Sequence, residues 1–332
     1  MNGILLAFAL TATLSARAAG PIAVMLLDGE SGGPYHNWQA TTPALKKELE
    51  ETGLFRVDVV TAPPAGGDFS SFNPEFGKYQ VVVMNYDAPD ERWPDSVKSA
   101  FEAYVRGGGG MVTVHASDNA FPGWRAFNEM IGVGGWRGRT EKSGPLWYFK
   151  EGKLVSDDKP GHAGNHGNRV PFAVTVQDAN HPITKGLPRV WMHQGDELYN
   201  NMRGPGENMT VLATAYSDPA NHGSGHDEPM LLTLSFGKGR VFHTMMGHDI
   251  NALSCVGFIV TLQRGTEWAA TGKVTQKIPT VFPSANVVAY RTDIAAMDPN
   301  YKYGLNALSN PPGVGGTGRG ARGPGQAPGP PK

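Results

Sequence analysis

The chain has 332 residues, with 29 basic and 30 acidic side chains and a formal net charge of −1, so long-range attraction favours neither nucleic acid nor an anionic membrane surface. That length suits one large α/β domain with additions, or two unequal domains. Apolar residues make up 40% and charged residues 18%, which excludes a highly charged disordered chain, and the 44 Gly and 26 Pro far exceed the usual roughly 12% for that pair.

Residues 1–19 carry a short apolar run, Ile4 to Leu14, followed by Ala16-Arg17-Ala18. This is the pattern of a secretory signal peptide, from which a periplasmic or secreted location is expected. The run is too short to span a bilayer, and no later stretch approaches that length. From Pro21 the pattern becomes regular. Residues 21–27 form a continuous apolar run, as in a strand buried on both faces. Residues 41–52 contain helix formers, with Pro43 near the start and Gly53 as a stop. Residues 55–61 and 79–86 read as strands, 94–106 as a helix and 111–115 as a fourth strand. This series predicts a doubly wound, mostly parallel α/β sheet with right-handed crossovers.

Residues 121–168, rich in Gly, Trp and charge, are predicted to be a long insertion with one short helix at 125–130; long structured loops in compact domains are usually functional. Strands are expected again at 172–176 and 210–215. A hairpin is expected at 230–246 around Gly237-Lys238-Gly239, then an amphipathic helix at 255–264. The α/β domain is predicted to span 20–275, with an extension over 276–310. In 311–332, 14 of 22 residues are Gly or Pro, too few of them apolar to pay for order.

In an open parallel sheet, ligands bind beyond the carboxyl ends of the strands. There the sequence places Asp28 with His36 and Trp38, then Asn85 and Asp87, then His115 and Asp118, and later His248. His115 stands where α/β hydrolases and amidotransferases hold a nucleophile, but such an elbow needs Ser or Cys. The single Cys255 lies in the late helix, and it also excludes disulfides and paired-thiolate metal sites, so any metal must use His, Asp and Glu. The stretch from Trp191 to Tyr199 packs His193, Asp196 and Glu197 into five positions, a density that suits a divalent metal or a general base, or else a solvated turn. Alternation makes His243 a packed residue and sends His248 to the rim. His162 and His166, in a Gly-rich loop, and His222 and His226 rank lower. Of seven Trp, at least five are expected in loops, where flat amphipathic rings suit a sugar or anchor the loops to the body.

The order GGGGMVTVHAS, VTVQDANHPITKGLP, DELYNN and GKGRVFHTMMGHD resembles the ThuA-like (trehalose utilisation) family over roughly residues 21–270. The resemblance implies the class I glutamine amidotransferase-like (flavodoxin-like) fold and a place in carbohydrate metabolism, with links to 3-oxo-glycosides made by a sugar 3-dehydrogenase. It carries over onto His115, Glu197 and His248, and less directly onto His36. The expectation is a metal-assisted lyase or hydrolase of a modified glycoside. His115, Glu197 and His248 would be catalytic groups or ligands of a divalent ion (Zn or Mn). Asp28, His36, Trp38, Asp118 and Tyr199 would line a carbohydrate pocket, and no nucleotide cofactor is expected. The rival readings are a non-catalytic sugar-binding or sensor protein, and a metal-assisted amide or ester hydrolase.

Overall fold

The computed structural model describes residues 20–31 and 35–298; the leader-like segment and the Gly/Pro-rich tail lie outside the described residues. The first half follows the sequence pattern closely. It contains β1 (Ile22–Asp28), α1 (Trp38–Glu50), β2 (Phe55–Thr61), β3 (Val81–Met84), α2 (Asp95–Arg106) and β4 (Gly110–Val114). Helix α1 starts earlier than expected, so Pro43 lies inside it. After α3 (Arg125–Ile131) come β5 (Leu146–Lys150) and β6 (Lys153–Asp157), a hairpin inside the long insertion. They are followed by β7 (Asn165–His166), β8 (Val170–Val176), β9 (Val190–Asp196), β10 (Tyr199–Asn200), β11 (Thr210–Tyr216), β12 (Asp227–Phe236) and β13 (Gly239–Thr244). Helices α4 (Ile250–Leu253), α5 (Val256–Thr271) and α6 (Thr292–Ala295) complete the described chain.

The main sheet runs β2-β1-β3-β4-β13-β12-β11-β8-β9. The first five strands are parallel, in the flavodoxin-like order that reverses between β1 and β3. The chain leaves β1 in one direction along the sheet and β3 in the other, so right-handed crossovers place α1 and α2 on opposite faces. Both faces are therefore covered, and β3 and β4 are buried throughout, which is why they read as unbroken apolar runs. Trp93, Phe101, Phe121 and Trp124 pack ring against ring beneath α2 and α3.

From β13 outward every pairing is antiparallel: β12, β11, β8 and finally β9. Four reversals return β9 to the direction of β13, so its carboxyl end shares the rim of the parallel half. The stretch that could have been a solvated turn is thus a buried strand. Helix α5 differs from its amphipathic expectation because it is buried nearly all round. Its outer side is covered by the extension: Ile278, Phe282 and Ala289 pack on Val256 and Val260, and Ser284 accepts from Met192 N at 2.8 Å.

Candidate functional site

Four strand ends deliver the candidate residues to the rim. His115 begins the 3-10 turn after β4 with φ 45°, a left-handed conformation rare for a non-glycine residue and typical of sites that store strain. His36 comes from the connection between β1 and α1, and Glu197 follows β9. His248 follows β13 through Gly247, whose φ of 116° only glycine adopts freely.

One coordinating atom from each of His36, His115, Glu197 and His248 lies within 4.8 Å of the others. Glu197 Oε2 is 3.1 Å from His248 Nδ1 and 3.7 Å from His115 Nε2. The imidazoles meet edge to face, with ring centres 4.9 to 5.3 Å apart. His115 Nδ1 lies 2.7 Å from the Met245 carbonyl, the contact of a donating N–H, which leaves Nε2 as a free lone pair facing the cluster. His36 Nδ1, His115 Nε2 and His248 Nδ1 are buried and none completes a well-aligned hydrogen bond, although His248 Nδ1 lies at ion-pair distance from Glu197. Three such imidazole nitrogens and a carboxylate fit the donor set of a divalent transition ion, and the His115 bond to Met245 is the kind that orients a ligating ring.

The charges of the four groups are strongly coupled. Burial opposes ionisation of Glu197, but His248, His115 and His166 outweigh it and hold the carboxyl well below its usual range. Burial, with His248 and His115 nearby, pushes His36 well down, which favours its neutral form. Burial also lowers His115, yet Glu197 and Asp196 raise it overall. Tyr199 is pushed well above its usual value, first by burial and then by Glu197, so its hydroxyl stays protonated. Its ring stacks on His115 at 4.0 Å, and its hydroxyl is 3.3 Å from His36 Nε2.

Other candidates are placed elsewhere. Asp28 is buried at the end of β1, its carboxyl raised by burial against the hydroxyls of Thr61 and Thr42; it ties β1 to β2 and α1 and is not among the four. Asp118 is fully buried and pairs with His243 Nε2 at 3.3 Å, so it supports the turn behind His115 from within the core. His243 is packed as alternation required. Trp38 opens α1, and among the described residues its ring stacks on none of the site's rings. Only Trp93, Trp124 and Trp136 lie outside helices and strands, fewer than expected, and Trp136 alone reaches the site, 4.5 Å from Tyr199.

Two further residues join: His166, which sequence reasoning ranked low, and Asp196, which it named only as part of the dense 191–199 stretch. His166 Nε2 lies 3.6 Å from Glu197 Oε1, because β7 pairs with β10 and sets His166 opposite Tyr199. Asp196 lies beneath the cluster. Its Oδ1 accepts from Glu197 N at 2.7 Å and His248 N at 3.2 Å, and its Oδ2 accepts from Gly247 N at 2.8 Å. Oδ2 also meets His193 Nε2 at 2.9 Å. His193 is raised to about 9, because Cys255 and Asp196 outweigh its burial, and Asp196 is lowered to about 2, because His193 outweighs the same effect.

The family model for ThuA, trehalose utilisation, matches residues 23–269. The chain belongs to this family. A ThuA-like protein of Parabacteroides merdae is similar at 46% identity and TM-score 0.79, over 82% of this chain and 99% of that one. A ThuA-like protein of Bacteroides uniformis, at 21% identity and TM-score 0.53 over 80% and 97% of the two chains, shares the fold. No curated protein matches. The ThuA family is carbohydrate-related, and among the described residues no helix is long and apolar enough to cross a membrane.

Proposed function

We propose that this ThuA-family protein is an enzyme that cleaves a 3-oxo-glycoside or a closely related modified sugar by removing the proton at C2 and expelling the glycosidic oxygen at C1. The observation that carries this reading is the convergence of three imidazoles and Glu197 at the carboxyl rim, one donor atom of each within 4.8 Å of the others. His36, His115, Glu197 and His248 would hold a divalent ion, Zn or Mn. Bound there, the ion supplies a Lewis acid for the sugar's oxo oxygen.

The chain's own residues supply the rest. With Nδ1 2.8 Å from its acceptor, the Gly167 carbonyl, His166 keeps Nε2 as a lone pair at the open side of the cluster, where it can accept the C2 proton and return it to the leaving oxygen. The C2–H pair then forms the C1–C2 double bond as the C1–O bond breaks. Tyr199, protonated, donates to a sugar oxygen, and Trp136 offers a ring face beside it. The residues 1–19 support a periplasmic setting, and a dehydrogenase that oxidises sugars at C3 would supply the substrate.

Elemental analysis of protein purified without chelator should find about one divalent ion per chain, and turnover of 3-oxo-glycosides should collapse in His115→Ala. Absence of any ion, together with unchanged turnover in that variant, would remove the proposal.

A further inference from the structure

A concavity opens on the same rim, on the antiparallel half of the sheet. It is a cleft of about 260 Å³ whose lining includes Gly167, Asn168, Phe172, Leu198, Tyr216 and Asp218. Its position follows from the topology. The amino end of β8 and the carboxyl end of β11 both reach this edge, since neighbouring antiparallel strands run in opposite directions. The cleft and the His/Glu cluster share a wall, because Gly167 and Leu198 directly follow His166 and Glu197 in the chain. Its floor also rests on the cluster's support: Phe172 packs at 5.1 Å from His193, which holds Asp196.

We propose that this cleft is the subsite for the leaving group of the glycoside, and that the group is a neutral, hydroxylated ring such as a second sugar. This rests on the reading of the His/Glu cluster as the reaction centre. Size, charge and surface chemistry point the same way. The space holds about nine water volumes, room for one ring and not for a long chain. Among the described residues, Asp218 is the only charged one in its lining, which offers a phosphate or carboxylate no cationic partner. Tyr216 is 53% exposed at its edge, an unusual position for a large ring and the form of a platform for the C–H face of a sugar. Asn168 and Asp218 flank that apolar surface with groups able to bond hydroxyls laterally. A substrate spanning the shared wall would place its scissile bond over His166 and Glu197.

Calorimetry tests this with methyl α-glucoside and with glucose disaccharides of different linkage, the ion content of each preparation being measured alongside. Tyr216 is exposed, so Tyr216→Ala should fold normally; Asn168→Ala provides a second, polar probe. At least one disaccharide should bind the wild type more tightly than methyl α-glucoside and lose about tenfold in affinity in Tyr216→Ala. Methyl α-glucoside affinity and ion content should not change. Equal disaccharide affinity in the wild type and Tyr216→Ala overturns the inference, as does a wild type that prefers no disaccharide over the monosaccharide. Protein that holds its ion yet ignores disaccharides loses the cleft and keeps the centre. Protein without an ion that binds a disaccharide through Tyr216 keeps the cleft and loses the centre.

Discussion

Asp196 and His248 are joined through the main chain: the carboxylate that ends β9 accepts the His248 N–H at 3.2 Å and the neighbouring Gly247 N–H at 2.8 Å. The edge strand of the antiparallel half is thereby fixed to the loop leaving the parallel half. Because the same carboxylate also holds Glu197 N, it sets the spacing between two of the four candidate ligands. Asp196→Ala leaves three buried N–H groups and a buried, charged His193 without their acceptor, a loss of about 3 to 5 kcal/mol of stability. Asp196→Asn should retain the fold with a smaller loss, and bind a divalent ion about 10 to 100 times more weakly than wild type. Urea unfolding and competition with a chromogenic chelator measure the two effects; an Asp196→Asn protein with unaltered ion affinity would show that the spacing does not depend on this carboxylate.

His166 allows ion binding and chemistry to be separated. It touches Glu197 from the open side but is not one of the four grouped donors. His166→Ala should therefore keep the wild-type ion content and lose about two to four orders of magnitude in turnover, the usual worth of a positioned acid or base. His36→Ala should lose the ion as well. Parallel elemental analysis and kinetics distinguish the two, and loss of the ion from His166→Ala would move that residue into the ligand set.

Most of the parallel half was legible in the sequence because its signals are local. Strands buried on both faces give apolar runs, and β2 is found at the expected residues, 55–61. His115 and His248 could be singled out because each follows such a run directly. His166 could not, since what brings it to Glu197 is a two-residue ribbon pairing across more than thirty residues, and a Gly-rich loop carries no periodicity to reveal a partner. Asp118 misled for the opposite reason. It follows a strand end as a site residue should, but the 3-10 turn over 115–119 rolls it inward onto His243. The outer cover of α5 was equally hidden, because the residues that bury it come from the stretch 278–289, which forms no helix or strand.

That cover predicts a stability effect far from the site. Phe282 packs edge to face on Trp191 at 5.9 Å and joins the small cluster of Val176, Leu187, Val256 and Val260. Phe282→Ala should cost about 2 to 3 kcal/mol, at or below the low end for a large aromatic because the ring is only partly buried. Urea unfolding would measure this, and the ion content should be unaffected.

Glu228 gives stability a pH dependence. It is buried in β12, and burial raises its carboxyl to about 7 despite hydrogen bonds from Ser224 and Asn201 N. A folded value above the unfolded one means that the protonated form is favoured in the fold. Glu228 therefore costs nothing below about pH 4.5, and its cost grows as pH rises through about 7. Glu228→Gln keeps the shape without the charge. Relative to wild type it should gain stability at pH 8 over pH 5, by at most about 3 kcal/mol. Unfolding curves of both proteins at the two pH values decide it; a difference independent of pH would mean that Glu228 ionises as easily in the fold as outside it.

Gly164 should control the ring that faces the sugar. Its φ is +83°, and a Cβ there would stand 2.6 Å from both Trp136 N and the Trp136 ring. Gly164→Ala therefore combines left-handed strain with a clash, and the near neighbour includes backbone that cannot rotate away. Arg139 holds that backbone: it is buried and donates to the carbonyls of Asn119, Ala120 and Gly135. Trp136 must then move relative to Tyr199 while the four donors, on other strand ends, keep their places. Gly164→Ala should bind the ion as wild type does and bind sugar about tenfold more weakly, as read by calorimetry and by the change in tryptophan fluorescence on sugar addition. Weakened ion binding would mean that the Trp136 loop and the cluster move as one unit, and unchanged sugar affinity would remove Trp136 from the binding surface.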